Sequence, residues 1–157
     1  MPMHAMPEPK IYESNVRDVQ TGEGVTIVNP SNLYECTLGA NAFVGPFCEI
    51  QKGVVIGDRT KVQSHSFICE LVSIGSDCFI GHGVMFINDT FSNGGPAGGD
   101  ASKWKSTRIG NHVSIGSNAT VLPVQICDRV VIGAGAVVTR DIIEPGTYAG
   151  NPAKRLK

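Results

Sequence analysis

The sequence predicts an all-β solenoid in which short strands and sharp turns wind into a triangular prism. Three observations predict it. Apolar residues recur at every sixth position, at Leu38, Val44, Ile50, Ile56, Val62, Ile68, Ile74, Ile80 and Phe86, a run whose chance occurrence is on the order of 10⁻⁵. Glycine directly follows the anchor at positions 39, 45, 57, 75 and 81. Four positions after successive anchors stand Ala42, Cys48, Val54, Thr60, Ser66, Val72, Cys78 and Val84, all small or β-branched. A period of six belongs to neither the 3.6-residue helix nor the plain two-residue alternation of a strand. It does suit short strands whose anchor and small residue both point inward, with glycine easing the turn. Three such sides make one coil of about 18 residues.

The segments follow in order. Residues 1–24 are polar, with Pro and Met and no visible repeat. The coils are expected over 25–140. Ile27 and Leu33 open them, and a one-residue slip precedes Leu38. The pattern breaks at 87–108, INDTFSNGGPAGGDASKWKSTR, a Gly-rich insertion long enough to expect a function. It resumes at Ile109, Ile115 and Val121, slips once more, and continues at Ile126, Ile132 and Val138. About five coils are expected, stacked at roughly 4.8 Å each. Residues 141–157 form a C-terminal tail.

Composition excludes several classes. The 157 residues carry 13 Lys and Arg against 14 Asp and Glu, a balance unlike the basic footprint of a nucleic-acid binder. No apolar run reaches the length of a membrane span. The start, MPMHAMPEPK, has no apolar signal region, so a cytoplasmic protein is expected. Five cysteines without a CxxC pair suggest neither a disulfide scaffold nor a zinc knuckle. Cys48 and Cys78 fall on small interior positions, while Cys69 and Cys127 take the place after an anchor; all four read as core filler.

This repeat resembles the left-handed β-helix of the hexapeptide-repeat transferases, and the tail motif GNPAK resembles the C-terminal signature of the hexapeptide acyltransferases. Fold alone leaves function open. An acyltransferase using a pantetheine thioester, a zinc protein like the gamma-class carbonic anhydrases and a non-catalytic interaction module all share it. The zinc reading requires three converging imidazoles. The four histidines, His4, His65, His82 and His112, include no His-x4-His pair, so no metal is expected.

Period arithmetic identifies candidate site residues, because residues one full coil apart stack on each other. Glu70 and Asn88 have that separation, Asp89 follows, and Lys52 lies one coil below Glu70. His82 occupies the equivalent turn of the preceding side, with His65 one position off the stack beneath it. These groups are expected to meet where the insertion leaves the prism. Each also has a plainer role: Glu70 as a solvated charge, Asn88 and Asp89 as turn formers, the histidines as surface imidazoles.

The stretch QSHSFICELVSIGSDCFIGHGVMFINDTF resembles the bacterial nucleotide-sugar 3-N-acetyltransferases. The resemblance implies that Glu70, Asn88 and Asp89 line a sugar site; His65, from its place near that corner, and Trp104, in the insertion, are further acceptor-binding candidates. It also implies acetyl-CoA as co-substrate, a nucleotide-linked amino sugar as acceptor (a 3-amino-dideoxyhexose first), a homotrimer, and a place in lipopolysaccharide biosynthesis. The related UDP-linked 3-amino-uronate enzymes read NPR after the Asn; Asp89 and SNGGP here speak against a uronate. A nucleotidyltransferase segment before the prism is not expected, nor is a nucleic-acid or membrane partner. The donor's arm would lie in a groove between prisms, along Gly116, Ser117, Ala134 and Gly135, with Arg140, Lys154 and Arg155 meeting its phosphates. An acyl-carrier protein would deliver the same thioester, and an O-acetyltransferase or another amine acetylase is the alternative on this scaffold. Two routes remain open for the chemistry. His82 acts as general base, or the departing thiolate takes the amine proton and the enzyme supplies orientation.

Overall fold

The computed structural model describes residues 12–156. His4 and the first part of the polar segment lie outside the described residues. Three parallel sheets form the faces of a left-handed β-helix of about seven turns. Face one stacks Val16–Arg17, Asn32–Tyr34, Glu49–Ile50, Phe67–Ile68, Met85–Phe86, Thr120–Val121 and Val137–Val138. Face two runs from Gln20–Thr21 up to Gln125–Ile126. Face three runs from Thr26–Ile27 through Val130–Ile132 to Gly146–Ala149, where an antiparallel partner, Lys154–Arg155, closes it. The first corner joins faces one and two, the second joins two and three, and the third leads from three back to one in the next coil. Among the described residues the helical content is one 3₁₀ turn, Ala101–Lys103, and no helix is long and apolar enough to cross a membrane.

Every anchor from Leu33 to Val138 is at most 3% exposed, and so are the small partners from Ala42 to Val84. The polar ones are satisfied: Thr60 Oγ1 donates to Gly75 O at 2.7 Å and Ser66 Oγ to Gly81 O at 2.9 Å. The apparent slips are coils shortened by a single residue, as in the pairings Asn32 with Glu49 and Ser114 with Val131. Across the insertion the register jumps, and Phe79 pairs with Ser114. The loop therefore leaves and re-enters without disturbing the stack.

Three expectations change. There are about seven coils, not about five. The winding begins at Val16, inside the segment read as polar, and face three continues past 140. The first coil has one side in water, so its residues need no apolar anchor; Val16 is 39% exposed. Glycine after the anchor does not relieve the turn. A Cβ on Gly57 would stand 2.5 Å from the carbonyl carbon of Gly75, and one on Gly81 would stand 2.7 Å from Ser117 N. These glycines clear the coil above. The left-handed backbone falls two residues later, on Asn41, Arg59, Asp77, His112 and Arg129 at the second corner and on Phe47, His65, Gly83, Asn118 and Gly135 at the third.

Candidate active site

The first corner carries a ladder of polar side chains across three coils. The Glu70 N–H donates to Gln51 Oε1 at 3.3 Å, and Asn88 Nδ2 donates to Glu70 O at 3.3 Å. The spacing of one full coil thus places Asn88 directly over Glu70. Gln51 Nε2 is held by Glu49 Oε1 at 2.8 Å. Lys52 turns to Glu35, at 2.9 Å. The half-buried Glu70 carboxylate has no hydrogen bond or ion pair among the described residues.

The insertion leaves from this corner and is closed at its neck, where Lys105 N–H donates to Asn88 O at 2.9 Å. Asp89 holds the loop from inside. One carboxylate oxygen accepts the Ala97 N–H at 2.7 Å and the other the Phe91 N–H at 3.0 Å. These amides keep the Asp89 carboxyl below the usual carboxylate range. Ala97 is buried, Asp100 caps the 3₁₀ turn, and half-buried Trp104 follows it, its N–H donating to Ala101 O at 3.2 Å. In this geometry Asp89 anchors the loop.

His82 stands on the third corner, exposed. Its Nδ1 is 2.9 Å from Ser64 Oγ, one coil below, and its backbone N–H donates to Ser117 Oγ at 3.2 Å. Ser64 holds the ring by one nitrogen and leaves Nε2 to the outside. Sequence reasoning passed over Ser64, although it lies one full coil before His82. His65, on the same corner, stacks on Phe47 with centroids 4.9 Å apart. Above them Gly116, Ser117, Ala134 and Gly135 form the turns of the upper coils. Gly116 is small because Ala134 N would lie 2.4 Å from its Cβ, whereas a Cβ on Gly135 would meet nothing within 4 Å. Steric openness toward a ligand belongs to Gly135.

One chain does not bring the two groups together. His65 and His82 lie at one edge of face one, and Glu70, Asn88, Asp89 and Trp104 at or beyond the other. The stretch from His82 to Asn88 spans one whole side, about 20 Å. At the C-terminus Arg155 is committed to Glu144 Oε2 at 2.7 Å and Pro145 O at 3.1 Å. Arg140 and Lys154 are exposed and form no ion pair among the described residues. A groove of about 360 Å³ at the upper end of face two, lined by Arg108, Gln125, Asp141 and Ile143 among others, contains none of the sequence-selected residues. Among the described residues no three His, Cys, Asp or Glu side chains converge as a metal site. Burial pushes the Cys36 thiol up to about 11 and that of Cys69 up to about 12, so neither supplies a thiolate near neutrality.

Comparison with known proteins agrees with the coil. Residues 35–70 match the family described as bacterial transferase hexapeptide (six repeats), and residues 106–140 match the hexapeptide repeat of succinyl-transferase. The bifunctional protein GlmU of Clostridium botulinum (strain ATCC 19397 / Type A) is 31% identical over 152 residues, which cover 93% of this chain and 30% of that protein. The chain therefore spans less than a third of the length of such curated relatives. A variant of AntD, an N-acyltransferase from Bacillus cereus solved with dTDP and coenzyme A, superposes with a TM-score of 0.69 at 22% identity, covering 90% of this chain and 81% of that one. A perosamine N-acetyltransferase variant from Caulobacter crescentus, solved with CoA and GDP-perosamine, superposes with a TM-score of 0.65 at 23% identity, covering 92% and 58%. At these identities the likeness to the solved structures is one of fold.

Proposed function

We propose that this chain, a hexapeptide-repeat protein built on the left-handed β-helix of the acyltransferases, moves an acetyl group from acetyl-CoA to the amine of a nucleotide-linked amino sugar, a 3-amino-dideoxyhexose first. The observation that carries the reading is the first corner. Glu70, half-buried and with no partner for its carboxylate among the described residues, lies one coil beneath Asn88, whose amide holds the Glu70 backbone carbonyl, at the mouth of a loop held in shape by Asp89. An unpaired carboxylate in such a place favours a ligand amine, which it orients through hydrogen bonds. The structural relatives solved with coenzyme A and with GDP-perosamine or dTDP support the donor and the acceptor class.

The working unit is a homotrimer, in which the first corner of one chain faces the third corner of the next. That assembly supplies the wall that one prism lacks and carries His82 across the width of face one. Phe79, 44% exposed, and Met85, 39% exposed, flank the third corner and provide apolar surface for the contact. The pantetheine arm runs down the third corner past Gly135 and Ala134, with Arg140 and Lys154 near the upper end for its phosphates. The neutral amine attacks the thioester carbonyl. The carbon–nitrogen bond forms, the carbon–sulfur bond breaks, His82 Nε2 takes the amine proton, and it passes that proton to the departing CoA thiolate, which leaves as the thiol. A backbone N–H of the adjoining coil stabilises the tetrahedral oxyanion.

The test is a turnover screen of acetyl-CoA against 3-amino and 4-amino nucleotide sugars, read as free-thiol release and acetylated product. Turnover with an amine acceptor is expected. Thiol release with hydroxyl acceptors only, or with none, would overturn the reading. Sedimentation of the active species as a monomer would remove the shared cleft.

A further inference from the structure

The third corner differs from the other two in charge. From Val28 to Ala136 none of its turns carries Asp or Glu. The first corner holds Glu35, Glu70 and Asp89, and the second Asp58, Asp77 and Asp128. An anionic ligand lying along the third corner therefore meets no carboxylate from its turns, and Glu49, just beyond the turn of Phe47, is tied to Gln51 Nε2 at 2.8 Å on the way to the first corner. Lys61, exposed on face three beside this corner, makes no ion pair among the described residues.

The same corner carries an aromatic shelf. Phe47 and His65 occupy the left-handed position of successive turns, their rings stacked at 4.9 Å with 30° between planes. Both are exposed, Phe47 by 56%. One coil higher that position is Gly83, which has no side chain, and Asn118 Oδ1 lies 2.5 Å from where its Cβ would be. The Asn118 amide thus fills the place above His65 that a side chain at Gly83 would take, and sets a hydrogen-bond acceptor at the upper end of the exposed Phe47–His65 pair. Any nucleobase can stack on such rings through its π-face.

We propose that the nucleoside diphosphate half of the acceptor lies along this corner, its base stacked on the Phe47–His65 pair and its phosphates directed toward His82. The inference rests on the acceptor being nucleotide-linked, as proposed above. Its order along the prism fits that reaction. The base sits on the lower coils, the donor's arm on the upper coils at Ala134 and Gly135, and His82 between them, so both substrates reach one imidazole from opposite ends of one corner.

The test titrates the full chain with dTDP, UDP and GDP by calorimetry, with sedimentation of each variant in parallel. Binding of at least one nucleotide is expected, weakened about 5- to 150-fold in Phe47→Ala and in His65→Ala, the range that base stacking on an aromatic supplies. His65→Phe should restore most of the affinity and His65→Leu should not, while acetyl-CoA affinity stays constant. Absence of nucleotide binding, or equal affinity in wild type and both alanine variants, would overturn the shelf. So would lost binding that accompanies dissociation of the assembly without rescue by His65→Phe, which would make the corner a contact between copies of the chain. Acetylation of an amino nucleotide sugar together with unchanged affinity in the alanine variants removes the shelf and leaves the transferase reading intact. Stacking-dependent nucleotide binding without acetylation of any amine does the reverse.

Discussion

The second and third corners use the same turn for opposite ends. At the second corner each coil's side chain accepts the backbone N–H of the coil below. Asp58 Oδ1 accepts from Ala40 at 2.8 Å, Ser76 Oγ from Asp58 at 3.1 Å, Asn111 Oδ1 from Ser76 at 2.9 Å and Asp128 Oδ1 from Asn111 at 2.8 Å. Outside this staircase Arg59 clamps Asp77 with two bonds, at 2.7 and 2.8 Å. The equivalent positions at the third corner are Pro46, Ser64, His82, Ser117 and Ala134, where Ser117 makes the one such backbone rung among the described residues. The second corner uses its polar side chains to hold the coil together, and the third leaves rings, hydroxyls and small residues facing outward. Stacked coils supply the repeated frame, so one edge can leave more of its outward side chains to other uses than another.

The largest effect should come from beneath both corners. Ile74 is 2% exposed, and Ile74→Asp places an unpaired charge in a slim core. A loss of about 4 kcal/mol or more is expected, seen as collapse of the cooperative melt. Survival of a native-like melt would show that the corners hold the fold without the anchors. Next comes the chemical contrast. His82→Asn should lower kcat about 10²–10⁴-fold with acetyl-CoA affinity retained. If Asn88→Ala and Glu70→Ala prove more damaging than His82→Asn, the thiolate takes the proton and orientation carries the rate.

Glycine substitutions sharpen the comparison by stability. Gly57→Ala at the second corner forces a methyl against the backbone of the next coil and should cost about 3 kcal/mol. Gly135→Ala at the third corner meets open space and should cost only about 1 kcal/mol, the strain of a left-handed alanine at φ +68. Its effect should appear instead as a raised KM for acetyl-CoA. Thermal melts of the two variants side by side give the answer, and equal losses would erase the distinction between the position that faces the next coil and the left-handed position that faces outward.

The smallest effect is electrostatic. Arg59 holds the Asp77 carboxyl below its ordinary value, and the Asn111 N–H does the same for Asp128. A carboxyl depressed in the folded state stabilises the fold at pH values above its unfolded pKa of about 3.9. That contribution fades as pH falls through the depressed values. Melting temperature should therefore decline less steeply below pH 4 in Asp77→Asn than in wild type. An identical slope would show that the clamp contributes nothing.

Much of this was legible in the chain. The anchors follow from apolar periodicity, and the Asn88–Glu70 contact follows from counting one full coil along it, because a coil of fixed length turns separation along the chain into height. The slips at Leu38 and Ile126 could be seen without being understood as shortened coils. The opening coil was invisible, since residues with solvent on one side need no apolar pattern. The turn-forming role of Asp89 was legible but its partners, Phe91 and Ala97, were not, because they are backbone amides and every residue but proline offers one.

Side-chain type and period were enough to establish the prism, its inward residues and the height of each candidate group, since burial repeats with the coil. Which edge each group occupies, what Asp89 and Arg155 are already bound to, and why glycine follows the anchor depended on the folded chain. Those properties come from backbone passing over backbone between coils, at distances where a single methyl does not fit, and such contacts leave no pattern of hydrophobicity behind.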